Sequence, residues 1–164
     1  MKTAEDYGRE ARELFLSGYT CSQAVLGVFA PAFGLDMKNA MLIASPFGGG
    51  LGRQREVCGA VSGMCMALGL AEGFSEPPDT KEKGGLYRTV QVLCASFREK
   101  HGSILCGEML RAASLSSDTG PNPEKRTSEY YKKRPCPEII EDAARIFAAY
   151  AIKNGLLPAE NDNG

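Results

Sequence analysis

Six cysteines and a single histidine carry most of the chemistry open to this chain of 164 residues. The cysteines are Cys21, Cys58, Cys65, Cys94, Cys106 and Cys136, at successive spacings of 37, 7, 29, 12 and 30. No CxxC pair exists, which excludes a thioredoxin-type active site and a zinc ribbon. There is no ferredoxin-type run of closely spaced cysteines either. His101 is the sole imidazole, so no Ser/His/Asp set can form beyond it. No carboxylate pair and no nucleotide fingerprint stands out. What remains is sulfur chemistry: metal ligation, thiol–disulfide exchange, or free cysteine packing as a small hydrophobe. If several thiols act together, the fold must gather them.

The elements that would do so are helical. Ala4, Tyr7, Ala11, Leu14 and Phe15 recur at three- and four-residue steps, one face of an amphipathic helix that Gly18 ends. Thr20, three residues before Gln23, is a capping-box signature for a second helix, with Pro31 or Gly34 to stop it. A shorter helix is expected over Lys38–Ala44. Further helices run from about Cys58 to Ala71, up to about Lys100 with Gly102 as cap, and from Cys106 to about Ala113. The last opens at Cys136-Pro137, where proline fits the first helical position. SEPPDTKEKGG reads as a polar break, and SLSSDTGPNPEKRTS as an exposed loop. No alternation of apolar and polar residues marks a strand. The fold class is all-α: one domain over 1–164, a bundle of about five to seven helices with a core of about 3–155. A disordered tail is expected over 158–164.

On that map Cys21, Cys58, Cys106 and Cys136 all stand at helix starts. There the free N–H groups and the helix dipole stabilise a thiolate, the form that attacks disulfides and binds metals. Arg53 and Arg55 add to this near Cys58, which makes Cys58 the first candidate nucleophile, although Glu56 opposes them. Cys65 and Cys94 fall inside helices and read as core packing. Cys65 lies about 10.5 Å along the axis from Cys58, too far for a disulfide while the helix is intact. Between Gly48 and Gly59 lie five glycines, ending in CGAVSG. With no GxGxxG, no Lys-Ser/Thr ending and no preceding strand, the stretch reads as a tight connection whose backbone packs closely, not as a phosphate loop.

CGAVSG, Cys58 to Gly63, resembles the CGAxxG motif of a family of redox-active proteins defined by a C–CGAxxG–C–C arrangement. The likeness extends to Cys21 in GYTCSQAV, the glycine-rich PFGGGLGRQREV, Cys106 in ILCGEML and Cys136 in RPCPEII, and spans about Ser17 to Ala149. Cys65 and Cys94 lie outside it. The resemblance implies redox activity centred on Cys21, Cys58, Cys106 and Cys136, with Gly59, Ala60 and Gly63 shaping the site as cofactor-binding positions. An iron–sulfur cluster ligated by the four thiolates, for electron transfer, is one use of that set. Thiol–disulfide chemistry by the same residues is another, needing no cofactor. A structural zinc site and a helical binding module with inert cysteines are the alternatives.

The remaining composition narrows partners. Net charge is −1, with 19 basic and 20 acidic residues, which argues against nucleic acid. No apolar run is long enough for a membrane span, and the charged N-terminus is no signal peptide, so a reducing cytoplasm is expected. The partner would be a redox protein, and a homodimer is compatible. His101 reads as a surface helix cap. The basic run Lys125–Arg134 reads as a solvated face.

Overall fold

Thr3 and Thr20 start the first two helices by the same device. The Thr20 hydroxyl accepts from the Gln23 N–H at 3.2 Å while Gln23 Oε1 accepts from the Thr20 N–H at 3.0 Å. Thr3 and Asp6 do the same. In this computed structural model, which describes residues 1–159, helix α1 covers Ala4–Leu16 and α2 covers Cys21–Phe29. From residue 160 on, the expected disordered tail lies outside the described residues. Because α2 carries the first site cysteine, its cap has a measurable consequence. Thr20→Ala should cost about 1 kcal/mol, which lowers a thermal midpoint by about 2–4 °C. An unchanged midpoint would show that the cap does not hold α2.

Proline at position 31 stops α2. Ala30–Phe33 tightens into a 3₁₀ turn, and Gly34 takes a left-handed φ of 79°. Helix α3, Met37–Ala44, is capped by Asp36. After a short 3₁₀ turn comes α4, Gly48–Leu51, one irregular turn in which Gly49 and Gly50 are left-handed. Helices α5 (Gly59–Glu72), α6 (Thr80–His101), α7 (Cys106–Ala112), α8 (Ser128–Lys133) and α9 (Cys136–Lys153) complete the order.

All seven helices expected from the sequence form, and the all-α class holds. Among the described residues the only strand-like pairing is a single bridge between Val57 and Leu105. Two segments depart from expectation. The polar stretch SEPPDTKEKGG is helical from Thr80 onward, because Asp79 and Glu82 form a capping box. Within Lys125–Arg134, Thr127 caps the short α8, whose single turn and a half is too brief to show an apolar period.

Helix α1 packs along α9, and α2 lies between α5 and α1. Phe15, Phe29, Phe97 and Phe147 fill the centre. Tyr7 stacks on Phe29 at 4.9 Å, and Phe147 meets Phe29 edge-on at 4.7 Å. His101 is not a surface cap. It packs on Phe97, and its Nε2 lies 2.9 Å from Oδ2 of the buried Asp142, unaligned for a hydrogen bond. Gly102 does take the left-handed cap position. No helix among the described residues is long and apolar enough to cross a membrane.

Candidate functional site

Two glycines of the CGAVSG segment determine how closely α2 can approach α5. A Cβ at Gly63 would sit 2.8 Å from the Ser22 carbonyl oxygen and 3.0 Å from the Val25 Cβ. One at Gly59 would sit 2.9 Å from the Phe47 carbonyl oxygen and 3.1 Å from the Cys21 Cβ. Spaced four apart, both glycines face α2, and their lack of side chains brings Cys21 to the start of α5. Ala60 is fully buried in the same interface region.

Cys58 and Cys106 are joined by a short backbone ladder. The Cys58 N–H donates to the Ile104 carbonyl at 2.8 Å, and the Cys106 N–H donates to the Glu56 carbonyl at 2.7 Å. The Gly107 N–H adds a bond to the Arg55 carbonyl at 3.0 Å. Gly50 closes this corner, since a Cβ there would lie 2.8 Å from the Cys106 Cβ. Helix α9 delivers Cys136 from the remaining side. Cys58 caps α5, while Cys21, Cys106 and Cys136 are the first residues of α2, α7 and α9. All four line one small space, with Gly59 but not Ala60 or Gly63 on its wall. Gly63 instead lets the helices approach, and Ala60 is buried in the core.

The four thiols are not equivalent. Cys21 and Cys136 adjoin each other, and each acts on the other's ionisation. The neighbouring Cys21 thiol holds Cys136 down at about 7 against an ordinary 9.0, with Arg134, Arg126 and Arg55 adding attraction for the thiolate. Cys21 is in turn pushed far up by Cys136, and burial and the neighbouring sulfurs raise it further. Burial raises Cys58 to about 12, despite help from the N–H groups of Ala60 and Val61. Burial also raises Cys106, offset by the Arg55 guanidinium 3.7 Å from its sulfur. At Cys58, the first candidate from the sequence, desolvation opposes the effect of the helix start.

A metal fits this arrangement poorly. Among the described residues no three His, Cys, Asp or Glu side chains are disposed to hold an ion.

Sequence reasoning missed Arg126 and Arg134, which it left on a solvated face. Arg126 instead lies over the Phe15 ring and donates to the Phe15 and Tyr19 carbonyls. Arg134 lies over Tyr130, with its side chain only 8% exposed. The signal was present in their aromatic interleaving with Tyr130 and Tyr131. Cys65 and Cys94 do pack against the core, but only half-buried, and their thiols adjoin each other across α5 and α6. The Cys65 thiol, with Arg98 nearby, lowers Cys94 to about 7.

No curated protein and no solved structure matches the chain. A family profile does match, over residues 19–150, and that span holds all four converging cysteines and the Cys-Gly-Ala-x-x-Gly segment. On that match the chain belongs to the family described as "putative redox-active protein (C_GCAxxG_C_C)".

Proposed function

We propose that the protein carries out thiol–disulfide redox chemistry, with Cys136 as attacking thiolate and Cys21 as resolving thiol. The observation that carries this reading is the meeting of Cys21 and Cys136, the first residues of two helices, on one space lined by both thiols, with Arg134 beside Cys136. Its polarity is that of an exchange couple, one sulfur ionised near neutrality and its partner still protonated.

The electron balance is simple. The Cys136 thiolate attacks one sulfur of a small disulfide R–S–S–R. A Cys136–S–S–R bond forms, and R–S⁻ leaves, taking up the proton that Cys21 gives up. The Cys21 thiolate then attacks the Cys136 sulfur, forming the Cys21–Cys136 disulfide and expelling the second R–S⁻, which takes a proton from solvent. The protein loses two electrons and the small disulfide gains them. Cys58 stays protonated through this cycle, and Arg55 orients Cys106 beside the reacting pair.

Mass-spectrometric mapping after mild oxidation by a small disulfide should show peptides containing Cys21 and Cys136 cross-linked. An intact fold with no such link would sink the reading. Cluster ligation by the same four thiols is the second reading, favoured by their convergence. Iron and sulfide retained after anaerobic reconstitution, with all four thiols consumed, would put it first.

A further inference from the structure

A larger cavity of about 420 Å³ opens directly onto the thiols of Cys21, Cys106 and Cys136. Its size is that of a small-molecule site and far exceeds an inorganic anion. Four guanidinium groups line it, in two pairs on different elements. Arg53 and Arg55 come from the glycine-rich segment, and Arg126 and Arg134 flank α8. Only two carboxylates oppose them. Glu124 pairs with Arg134 at 3.5 Å and Asp118 with Arg53 at 3.5 Å. Those carboxylates are 63% and 68% exposed, whereas the Arg134 and Arg53 side chains are 8% and 14% exposed. Glu124 and Arg126 both come from the connection 114–127, but Arg126 is turned onto the Phe15 ring while Glu124 is exposed. The rest of the lining is largely apolar, from Phe15, Leu110, Pro121, Pro123 and Tyr130.

The backbone gives a second, independent observation. Arg53 and Arg55 have φ of 69° and 62°, the left-handed region that residues with a Cβ avoid. Such strain persists where the surroundings impose it and clusters at ligand clamps. Both residues line the cavity, where Arg53 Nη2 and Arg55 Nε donate to the Asp118 carbonyl at 3.3 and 3.0 Å and the Arg53 Nε is buried with no hydrogen-bond partner. In a chain of net charge −1, this local excess of half-buried cations beside the thiols favours an anionic ligand.

We infer that this cavity binds a small organic molecule with an anionic group at each end and an apolar middle, and that the substrate is a disulfide of that class. The inference rests on the thiol–disulfide reading for the reacting group, but the binding of a doubly anionic molecule does not. Each terminal carboxylate would meet one arginine pair by charge-assisted hydrogen bonds, displacing Asp118 and Glu124. The central S–S bond would then face Cys136, and reduction would follow the two-electron exchange written above.

Suberate tests this directly. It is the redox-inert counterpart of dithiodipropionate, with methylenes in place of the two sulfurs. Calorimetric titration of the full chain with suberate should show saturable binding that octanediol, its uncharged counterpart, lacks. Arg134→Gln or Arg55→Gln should weaken it about tenfold, as expected for losing a charge-assisted bond. Asp118→Asn, which removes a competing carboxylate, should tighten it several-fold, a result that a misfolded variant would not give. In exchange assays dithiodipropionate should react about tenfold faster than hydroxyethyl disulfide, and cystamine, which is cationic, slowest of the three. No suberate binding, or equal binding of octanediol, overturns the inference even if all three disulfides react. Suberate binding with no exchange by any disulfide keeps the cavity's ligand class and overturns the thiol reading instead.

Discussion

Cys136→Ser is expected to stop the reduction of small disulfides, lowering the rate at least about a thousandfold, because a hydroxyl cannot replace a thiolate formed near neutrality. Cys21→Ser should behave differently. The first attack survives, the resolving step is lost, and a Cys136 mixed disulfide accumulates that mass spectrometry can trap. Cys58→Ser should leave exchange largely intact, since burial keeps that thiol protonated to about pH 12. The pH profile gives the sharper check. Cys136 is held near 7 against an ordinary 9.0, so its thiolate is the minority form below pH 7 and the majority form above it. Alkylation of Cys136 by iodoacetamide should therefore rise through pH 7 and level off, where an unperturbed thiol would still be climbing at pH 8. In the Cys21→Ser variant a hydroxyl replaces the thiol beside Cys136, and the midpoint should move. A Cys136 midpoint near 9 in the wild-type protein, or exchange that survives Cys136→Ser, would remove the basis of the mechanism.

Gly63→Ala is the second large effect, and it acts through packing. The added methyl would lie 2.8 Å from the Ser22 carbonyl and 3.0 Å from the Val25 Cβ, both on the facing helix. Neither can swing away as a flexible side chain would, so α2 and α5 must separate. Overpacking of this kind costs about 1–3 kcal/mol. The better helix propensity of alanine returns about 1 kcal/mol at most. A net loss of roughly 1 kcal/mol lowers the thermal midpoint by about 2–4 °C in a chain of this size. Gly69 is the control, because it lies on the same helix and a methyl added there would meet nothing within 4 Å. Gly69→Ala should be neutral or stabilising. The functional half of the prediction is that Gly63→Ala also slows Cys21–Cys136 cross-linking, since α2 carries Cys21 into the site. Equal midpoints for Gly63→Ala and Gly69→Ala would show that the close approach is not a constraint.

The helices were legible because their signals are local. The Thr20–Gln23 box, the Pro31 stop, the Gly102 cap and the three–four apolar periods each act within one or two turns. The short α8 was not legible, because a segment of that length has no period to read and only its Thr127 cap to announce it. The start of α6 was obscured by a polar, glycine-bearing first turn that its capping box nonetheless holds. Helix starts also marked out Cys21, Cys58, Cys106 and Cys136, and those four do line one space. Their ranking did not follow from position along the chain. A helix N-terminus lowers a thiol's pKa and burial raises it; burial acts on both Cys58 and Cys136, and what separates them is the Cys21 thiol and the arginines beside Cys136.

By itself, then, the sequence determined an all-α chain with four cysteines at helix starts and a glycine-bearing CGAxxG segment between the first and third of them. It determined these because capping, helical periodicity and helix termination are properties of neighbouring residues. The tertiary structure decided which thiols meet: Cys21 with Cys136, and Cys65 with Cys94. It also placed four arginines around one cavity and left Cys58 desolvated. Those are facts of distance and solvent exclusion between segments far apart in the chain, and both the pKa of a thiol and the charge of a cavity are governed by such distances.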